Sequence, residues 1–396
     1  MGTRITDLGA SESWRAAFDR LARAEHFPEI TARLRLGAPD MGADASEELA
    51  IMERAFAEGW VTPRPPEVRT GRTVAVVGGG MVGLATAAAL NEAGHYVRVY
   101  ESSGHFGGLM CVGMGSVRVE QWVVDRRVRL LEEEGVELVC GASIGEAIRF
   151  DELKEVSDAL LLAIGSRRRR RLRVPGYAHP RVLDAEDLIR PGLDRLRALD
   201  LAGARGLILG DADVAEQAKA RLAQLGVAEV TVLPLLGGEV QWALDRRPEG
   251  AWPLLHGESR GEPDPVATVA IEAEGNDVRG VRFVRVDVAE DPSGPPVVVP
   301  RPGSAFSVAA DFVVVAAGCM GPDTGPVEQQ LGVELDIDGN VAADRRFGTS
   351  VSGVYYAGDA NPGASSLLWD LSQGLDAAAV IDARLGGSQR SPPVRS

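Results

Sequence analysis

Thr73-Val74-Ala75-Val76-Val77-Gly78-Gly79-Gly80-Met81-Val82-Gly83 is the stretch on which the reading of this chain turns. Its first five residues form a largely apolar run rich in β-branched side chains, the pattern of a strand buried on both faces of a parallel sheet. The run passes straight into Gly-x-Gly-x-x-Gly, and Val82 to Ala93 then reads as a helix. The three glycines differ in what they do. Gly78 permits the tight turn, Gly80 lets a diphosphate approach the backbone, and Gly83 lets helix and strand pack closely. The amino end of the helix offers N–H groups and partial positive charge to an anion. The motif by itself is weak. What strengthens it is Glu101, which closes the next strand, Val97–Tyr100. A carboxylate there accepts the two ribose hydroxyls of an adenosine and repels a 2′-phosphate.

Two further features point to FAD rather than NAD at this first site. Gly104-His105-Phe106-Gly107-Gly108-Leu109 gives a second glycine loop after the acidic residue, where backbone can approach a long cofactor. Near the other end, strand Val354–Ala357 is followed by Gly358 and Asp359, placed to hold a ribityl chain. The amino end of the last helix, around Ser366 and Leu367, would then face the flavin. The expected cofactor-binding set is therefore Gly78, Gly80, Met81, Val82, Gly83, Glu101, Gly107, Gly108, Leu109, Gly358, Asp359, Ser366 and Leu367. Cys111 is the weak catalytic candidate, as an attacker of flavin C4a or a substrate ligand, set against ordinary packing. His105 is a further candidate for FAD oxygens, and Arg167–Arg171 reads as an exposed connector or an acidic-partner contact.

Around this centre the chain alternates strand and helix, as in an α/β protein with parallel sheets. Expected strands are Val136–Val139, Ala159–Ile164, Gly206–Leu209 and Glu229–Leu233, with hairpin strands Val266–Ala273, Val278–Val288, Val297–Val299 and Phe306–Val308 in the tract 266–315. Residues 11–58 read as short helices, followed by the extended stretch Thr62–Glu67, in which three prolines disfavour helix. The expected organisation is a helical domain at 1–70, an outer domain at 71–190 and 311–386, an inserted domain at 191–310 and a tail at 387–396. The fold class is α/β, with two nested Rossmann-like dinucleotide-binding domains after a small helical domain.

The chain resembles the small, FAD-containing subunit of bacterial glutamate synthase and related NADPH-dependent flavin oxidoreductases. The resemblance is carried by Phe56-Ala57-Glu58-Gly59-Trp60-Val61 with Pro63, Pro65 and Pro66, and by Arg69-Thr70-Gly71. Glu120-Gln121-Trp122-Val123-Val124-Asp125-Arg126-Arg127, Val174-Pro175-Gly176, Ala251-Trp252-Pro253, Leu331–Asp336, Gly358-Asp359-Ala360 and Trp369 extend it. It implies iron–sulfur clusters in the amino-terminal domain, FAD in the outer domain and NADPH in the inserted one.

Three departures alter those implications. His26–Asp40 resembles the cluster-bearing segment but contains no cysteine, so no iron–sulfur cluster is expected. In the second fingerprint, Gly210-Asp211-Ala212-Asp213-Val214-Ala215, alanines stand at the second and third glycine positions and Asp211 adds a negative charge. No basic residue follows the next strand before Arg246, so NADPH binding should be weakened or lost, with NADH also open. The resemblance places an arginine where Cys111 stands and a proline where Gly115 stands.

The formal charge of −15 argues against wrapping nucleic acid, which needs a basic surface. No segment has the roughly 20 consecutive apolar residues of a membrane span, nor does the start read as a signal peptide, so a cytoplasmic location is expected. No metal site is expected from the five scattered histidines and three cysteines. The expected function is an FAD-dependent oxidoreductase acting on a small organic or partner-held substrate, in specialised metabolism, with weakened or absent NADPH use. The alternatives are a non-catalytic FAD-binding scaffold subunit and an NAD(P)H-dependent flavin reductase with an atypical second site. A homo-oligomer and a partner subunit both remain open.

Overall fold

Strand β1 (Thr73–Val77) is the central strand of a five-stranded sheet that also contains β2 (Tyr96–Glu101), β3 (Glu137–Cys140), β4 (Ala159–Leu162) and β14 (Val354–Tyr356). The order is β14-β4-β1-β2-β3, and every pairing is parallel. This computed structural model describes residues 11–36, 42–112, 119–169, 172, 174–189, 199–210, 212–234, 254–259, 262–289, 297–317, 321–358 and 367–386. Contacts divide the chain into two compact units, 1–168 with 321–396, and 169–320.

In the first unit the period-2 alternation of a strand splits β1 between two cores. Val74 and Val76 face one, with Leu84 and Leu90 of helix α4 (Met81–Glu92) and Val123, Val124 and Leu131 of helix α6 (Gln121–Glu133). Ala75 and Val77 face the other, with Phe150, Leu160, Leu162 and Val327. The last helix, Leu367–Arg384, lies along α4, and Gly374 permits the approach. A Cβ on Gly374 would stand 2.6 Å from the Val82 carbonyl oxygen, and the Thr86 hydroxyl donates to the Gly374 oxygen at 2.9 Å.

The amino-terminal helices form no separate body. Helices α1 (Ser11–Ala24) and α3 (Gly42–Ala57) share a small core of Phe18, Met52 and Ala55 with Trp60. Helix α2 (Pro28–Leu36) instead sends Ile30 and Leu34, with Phe27 just before it, into the core of the first sheet. Glu29 in its first turn is fully buried and paired with Arg127 of α6.

The second unit has its own parallel sheet, built from β5 (Val182–Asp184), β6 (Arg205–Gly210), β7 (Glu229–Pro234) and β13 (Phe312–Ala316) in the order β5-β13-β6-β7. A second, antiparallel sheet contains β8 (Leu254–Ser259), β9 (Glu262–Glu274), β10 (Asp277–Ala289), β11 (Val297–Pro300) and β12 (Phe306–Ala309). Its order is β11-β10-β9-β8, with β12 also pairing β10. The four strands expected as hairpins, Val266–Ala273, Val278–Val288, Val297–Val299 and Phe306–Val308, all pair antiparallel here. The tract 266–315 is not hairpin to its end, because Phe312–Ala316 pairs in parallel with both β5 and β6. Its five buried residues show the unbroken apolar run of a central parallel strand rather than hairpin alternation. Residues 182–184 and 312–316 thus pair within the inserted unit, whose edges fall outside 191 and 310.

Asp184 ends β5 at the carboxyl edge of that sheet. Burial pushes its carboxyl up to about 6, with nearby Arg169 pulling the other way and Glu186 adding to the rise. An acid raised in the folded state binds more protons there than in the unfolded chain. Its contribution to stability is complete below about pH 4 and is lost as pH rises through 6. Asp184→Asn is therefore expected to stabilise this unit by roughly 1–3 kcal/mol at pH 7.5. The gain should vanish at pH 4, and thermal melts at the two pH values check it.

Among the described residues, no helix is long and apolar enough to cross a membrane, and no group of His, Cys, Asp and Glu is placed to hold a metal ion.

Candidate dinucleotide site

The glycine turn after β1 is fixed by its own crowding. Gly78 has φ +115, and a Cβ there would lie 2.0 Å from the Ala163 carbonyl oxygen. A Cβ on Gly83 would lie 1.9 Å from the Gly78 oxygen, so the first turn of α4 packs directly on the turn. Gly80 differs from both: among the described residues, no atom beyond its chain neighbours lies within 4 Å of the position its Cβ would take. It occupies the N-cap of α4 without a side-chain cap, so the helix amino end is left for backbone N–H groups to serve. Met81 and Val82 are buried, so what they offer outward is backbone.

Glu101 is brought to this turn. It is 8 % exposed, and its carboxylate accepts from the Gly79 N–H at 2.9 Å and the Ser103 N–H at 2.7 Å. The second glycine loop is joined to the first, since the Gly107 N–H donates to the Gly79 oxygen at 2.8 Å. Gly108 has φ +53, and its Cβ would stand 3.2 Å from the Gly80 Cα. Leu109, half-buried, opens the short helix α5 (Leu109–Val112). Cys111 packs against the first-unit core, with its Sγ 2.5 Å from where a Gly107 Cβ would be.

The carboxyl-terminal part reaches the same place. Gly358, φ +120, lies beside Val82, and its N–H donates to Gln373 Oε1 at 3.0 Å. Gln373 had no sequence signal, because its role depends on a helix returning across the fold. Leu367 begins the last helix, half-buried against the core. Asp359 and Ser366 lie outside the described residues, as does Cys319. His105 is exposed on its loop. His95 is buried at the start of β2, between the Thr70 hydroxyl at 2.8 Å and the Asp382 carboxylate at 2.9 Å, a structural setting away from the turn.

These residues fit a dinucleotide such as FAD. The open face at Gly80, an uncapped helix amino end and a buried carboxylate at the end of β2 match the diphosphate and ribose in turn. The second turn keeps only part of this arrangement. Gly210 has φ +152 with a Cβ position 2.1 Å from the Ala316 oxygen, so the tight turn is retained. Ala212 opens the next helix, Ala212–Gln224, where the fingerprint has its second glycine. Ala215 is fully buried among Ile208, Val314 and Leu222, so the core accepts its methyl. Asp211 and the run 235–250 lie outside the described residues.

Residues 76–134 match the model of the NAD(P)-binding Rossmann-like domain. The glutamate synthase (NADPH) small chain of Mycobacterium tuberculosis H37Rv is 33 % identical over 419 residues, covering 98 % of this chain and 84 % of that one. The chain belongs to the glutamate synthase small-chain family. The small chain of Bacillus subtilis is 29 % identical over 98 % of this chain and 84 % of its own length. Among solved structures, Mycobacterium tuberculosis FprA in complex with NADPH aligns with a TM-score of 0.59 at 18 % identity, over 80 % of this chain and 85 % of that one. Lactococcus lactis thioredoxin reductase aligns with a TM-score of 0.53 at 15 % identity, over 80 % and 99 %. At such identities the structures speak for the fold alone. Membership of that family places the chain among the FAD-dependent oxidoreductases.

Proposed function

We propose that this small-chain relative binds FAD in the outer crevice and oxidises or reduces a small organic or partner-held substrate, with NADPH used weakly or not at all. The observation that carries the reading is the contrast between the two turns. Gly80 leaves open the space a diphosphate needs, whereas alanine stands at the matching position, Ala212. A side chain at that point occupies the line of approach to the backbone. Asp211 adds an anionic group beside an anionic ligand.

When bound, the flavin supplies hydride or single-electron transfer at its ring. The chain's own residues would do the holding. Gly78, Gly80 and Gly83 shape the turn, Met81 and Val82 give backbone N–H groups, and Glu101 accepts the ribose hydroxyls. Gly107, Gly108 and Leu109 line the crevice beside them. Gly358, fixed by Gln373, and Leu367 would serve the flavin side, to which the sequence also assigns Asp359 and Ser366. Cys111 is assigned to packing rather than chemistry.

The segment 26–40 has no cysteine, so an iron–sulfur relay is not part of this reading. Loss of that relay also favours specialised over central metabolism. The small-chain relatives carry a name that implies a larger assembly, and association with a partner subunit is part of the proposal.

Anaerobic titration of the flavin-loaded protein tests the electron donor. Millimolar NADPH or NADH, roughly the upper end of ordinary KM values, is expected to leave the flavin absorbance near 450 nm unbleached over minutes. Bleaching within seconds by either nucleotide would establish the flavin-reductase reading instead.

A further inference from the structure

The arginine run that follows β4 separates, in the fold, into residues with different employment. Arg168 donates to the Asp338 oxygen at 2.9 Å, and Arg169 pairs with Asp184 and Asp187. Arg167 does neither. Among the described residues no carboxylate lies within 4 Å of its guanidinium, which instead donates to the Ser102 hydroxyl. That hydroxyl donates in turn to Glu101 Oε1 at 3.3 Å. The guanidinium is thus two hydrogen bonds from the carboxylate placed to receive the ribose.

The sheet order gives this contact its meaning. Arg167 follows β4 and Ser102 follows β2, while β1 runs between those strands and ends in the glycine turn. The side chain therefore bridges the carboxyl end of the sheet across the mouth of the crevice. Its base is anchored: the N–H groups of Arg167 and Arg168 both donate to the Gly321 oxygen, at 2.9 and 2.8 Å. The Gly321 N–H donates to the buried Ser166 hydroxyl at 2.8 Å.

We propose that Arg167 is a cofactor-specificity residue that closes over the adenine of the dinucleotide bound in the outer crevice, stacking its guanidinium on the ring. Glu101 marks the ribose, and its link to Gly79 marks the side where the diphosphate lies. Ser102 lies on the other side of Glu101 along the chain, which leaves the base as the nearest part of the ligand. A planar, weakly hydrated guanidinium with no carboxylate partner among the described residues is suited to an aromatic face. This inference rests on FAD occupying the outer crevice, as proposed above.

The test titrates the full chain, freed of flavin, with FAD, with ADP as the adenosine half, and with FMN as the flavin half, following fluorescence and thermal shift. Arg167→Ala is expected to raise the Kd for FAD and ADP about five- to thirtyfold and to leave that for FMN unchanged. Arg167→Lys keeps the charge but not the plane, and should recover less than half of the loss on a logarithmic scale. Equal weakening of all three ligands, full rescue by lysine, unchanged ADP binding, or tighter FAD binding from an unbarred crevice would each overturn the assignment. If the parent protein binds neither FAD nor ADP, the proposed function itself fails. That result is distinct from a parent that binds both with a silent Arg167→Ala.

Discussion

Gly80→Val is expected to give a protein that folds and melts nearly as the parent does, yet binds FAD about a hundredfold more weakly. The two halves of that result have separate causes. The backbone at Gly80 has φ −77 and ψ −171, extended values open to any L-residue, and among the described residues no atom beyond its chain neighbours stands within 4 Å of the new Cβ. Valine is a poorer N-cap than glycine, at a cost of about 1 kcal/mol or less. What the branched side chain fills is the space through which a diphosphate reaches the amino end of α4. Intrusion of that kind costs about 1–3 kcal/mol or more, and each 1.4 kcal/mol is about tenfold in affinity. The neighbouring glycines should behave differently. Valine at Gly83 or Gly78 would meet backbone oxygen at 1.9 or 2.0 Å, so those variants are expected to lose folded protein along with cofactor. Circular dichroism melts and FAD fluorescence titration separate the cases. A Gly80→Val protein that retained stoichiometric FAD at micromolar concentration would remove the diphosphate from this turn.

That contrast among three glycines shows what a sequence can and cannot disclose. Their order, the apolar run before them and Glu101 after them are local in sequence, and each has a steric or electrostatic reason readable from residue type. The second turn was legible for the same reason, through Ala212 and Ala215. The contacts that complete the outer site are made by residues far apart. Gln373 serves Gly358 from the last helix, and Arg167 reaches Ser102 across 65 positions of chain. A run of arginines has no internal feature that tells Arg167 from Arg169, since only the folded sheet gives them different neighbours. Phe312–Ala316, at the end of the hairpin tract, went unassigned for a related reason. A short apolar run fits a hairpin strand or a central parallel strand equally well until its partners are known.

The amino-terminal helices present the other large expected effect. Arg127→Met should destabilise the first unit by about 3–5 kcal/mol, because it leaves the Glu29 carboxylate without the partner for which it was desolvated. Glu29 is fully buried, and both its oxygens accept from the guanidinium, at 2.7 and 2.8 Å. Burial works to lower the Arg127 pKa, and the Glu29 charge beside it more than reverses this, so the guanidinium is held ionised. The same guanidinium lies 5.1 Å from the centre of the Phe27 ring, which packs in the core with Ile30 and Leu34. One contact therefore fastens α2 to α6. The surrounding pairs, Arg33 with Glu53 and Arg35 with Glu25 and Glu48, are more exposed and should each contribute less. The informative companion is Glu29→Met with Arg127→Met, which removes both charges and fills the space with apolar side chains. It should regain most of the stability, since a buried ion pair and a well-packed apolar replacement are often close in free energy. Urea denaturation of the parent, both single variants and the double variant closes the cycle. A double variant as unstable as Arg127→Met would mean that packing around Phe27, rather than the stranded carboxylate, sets the cost.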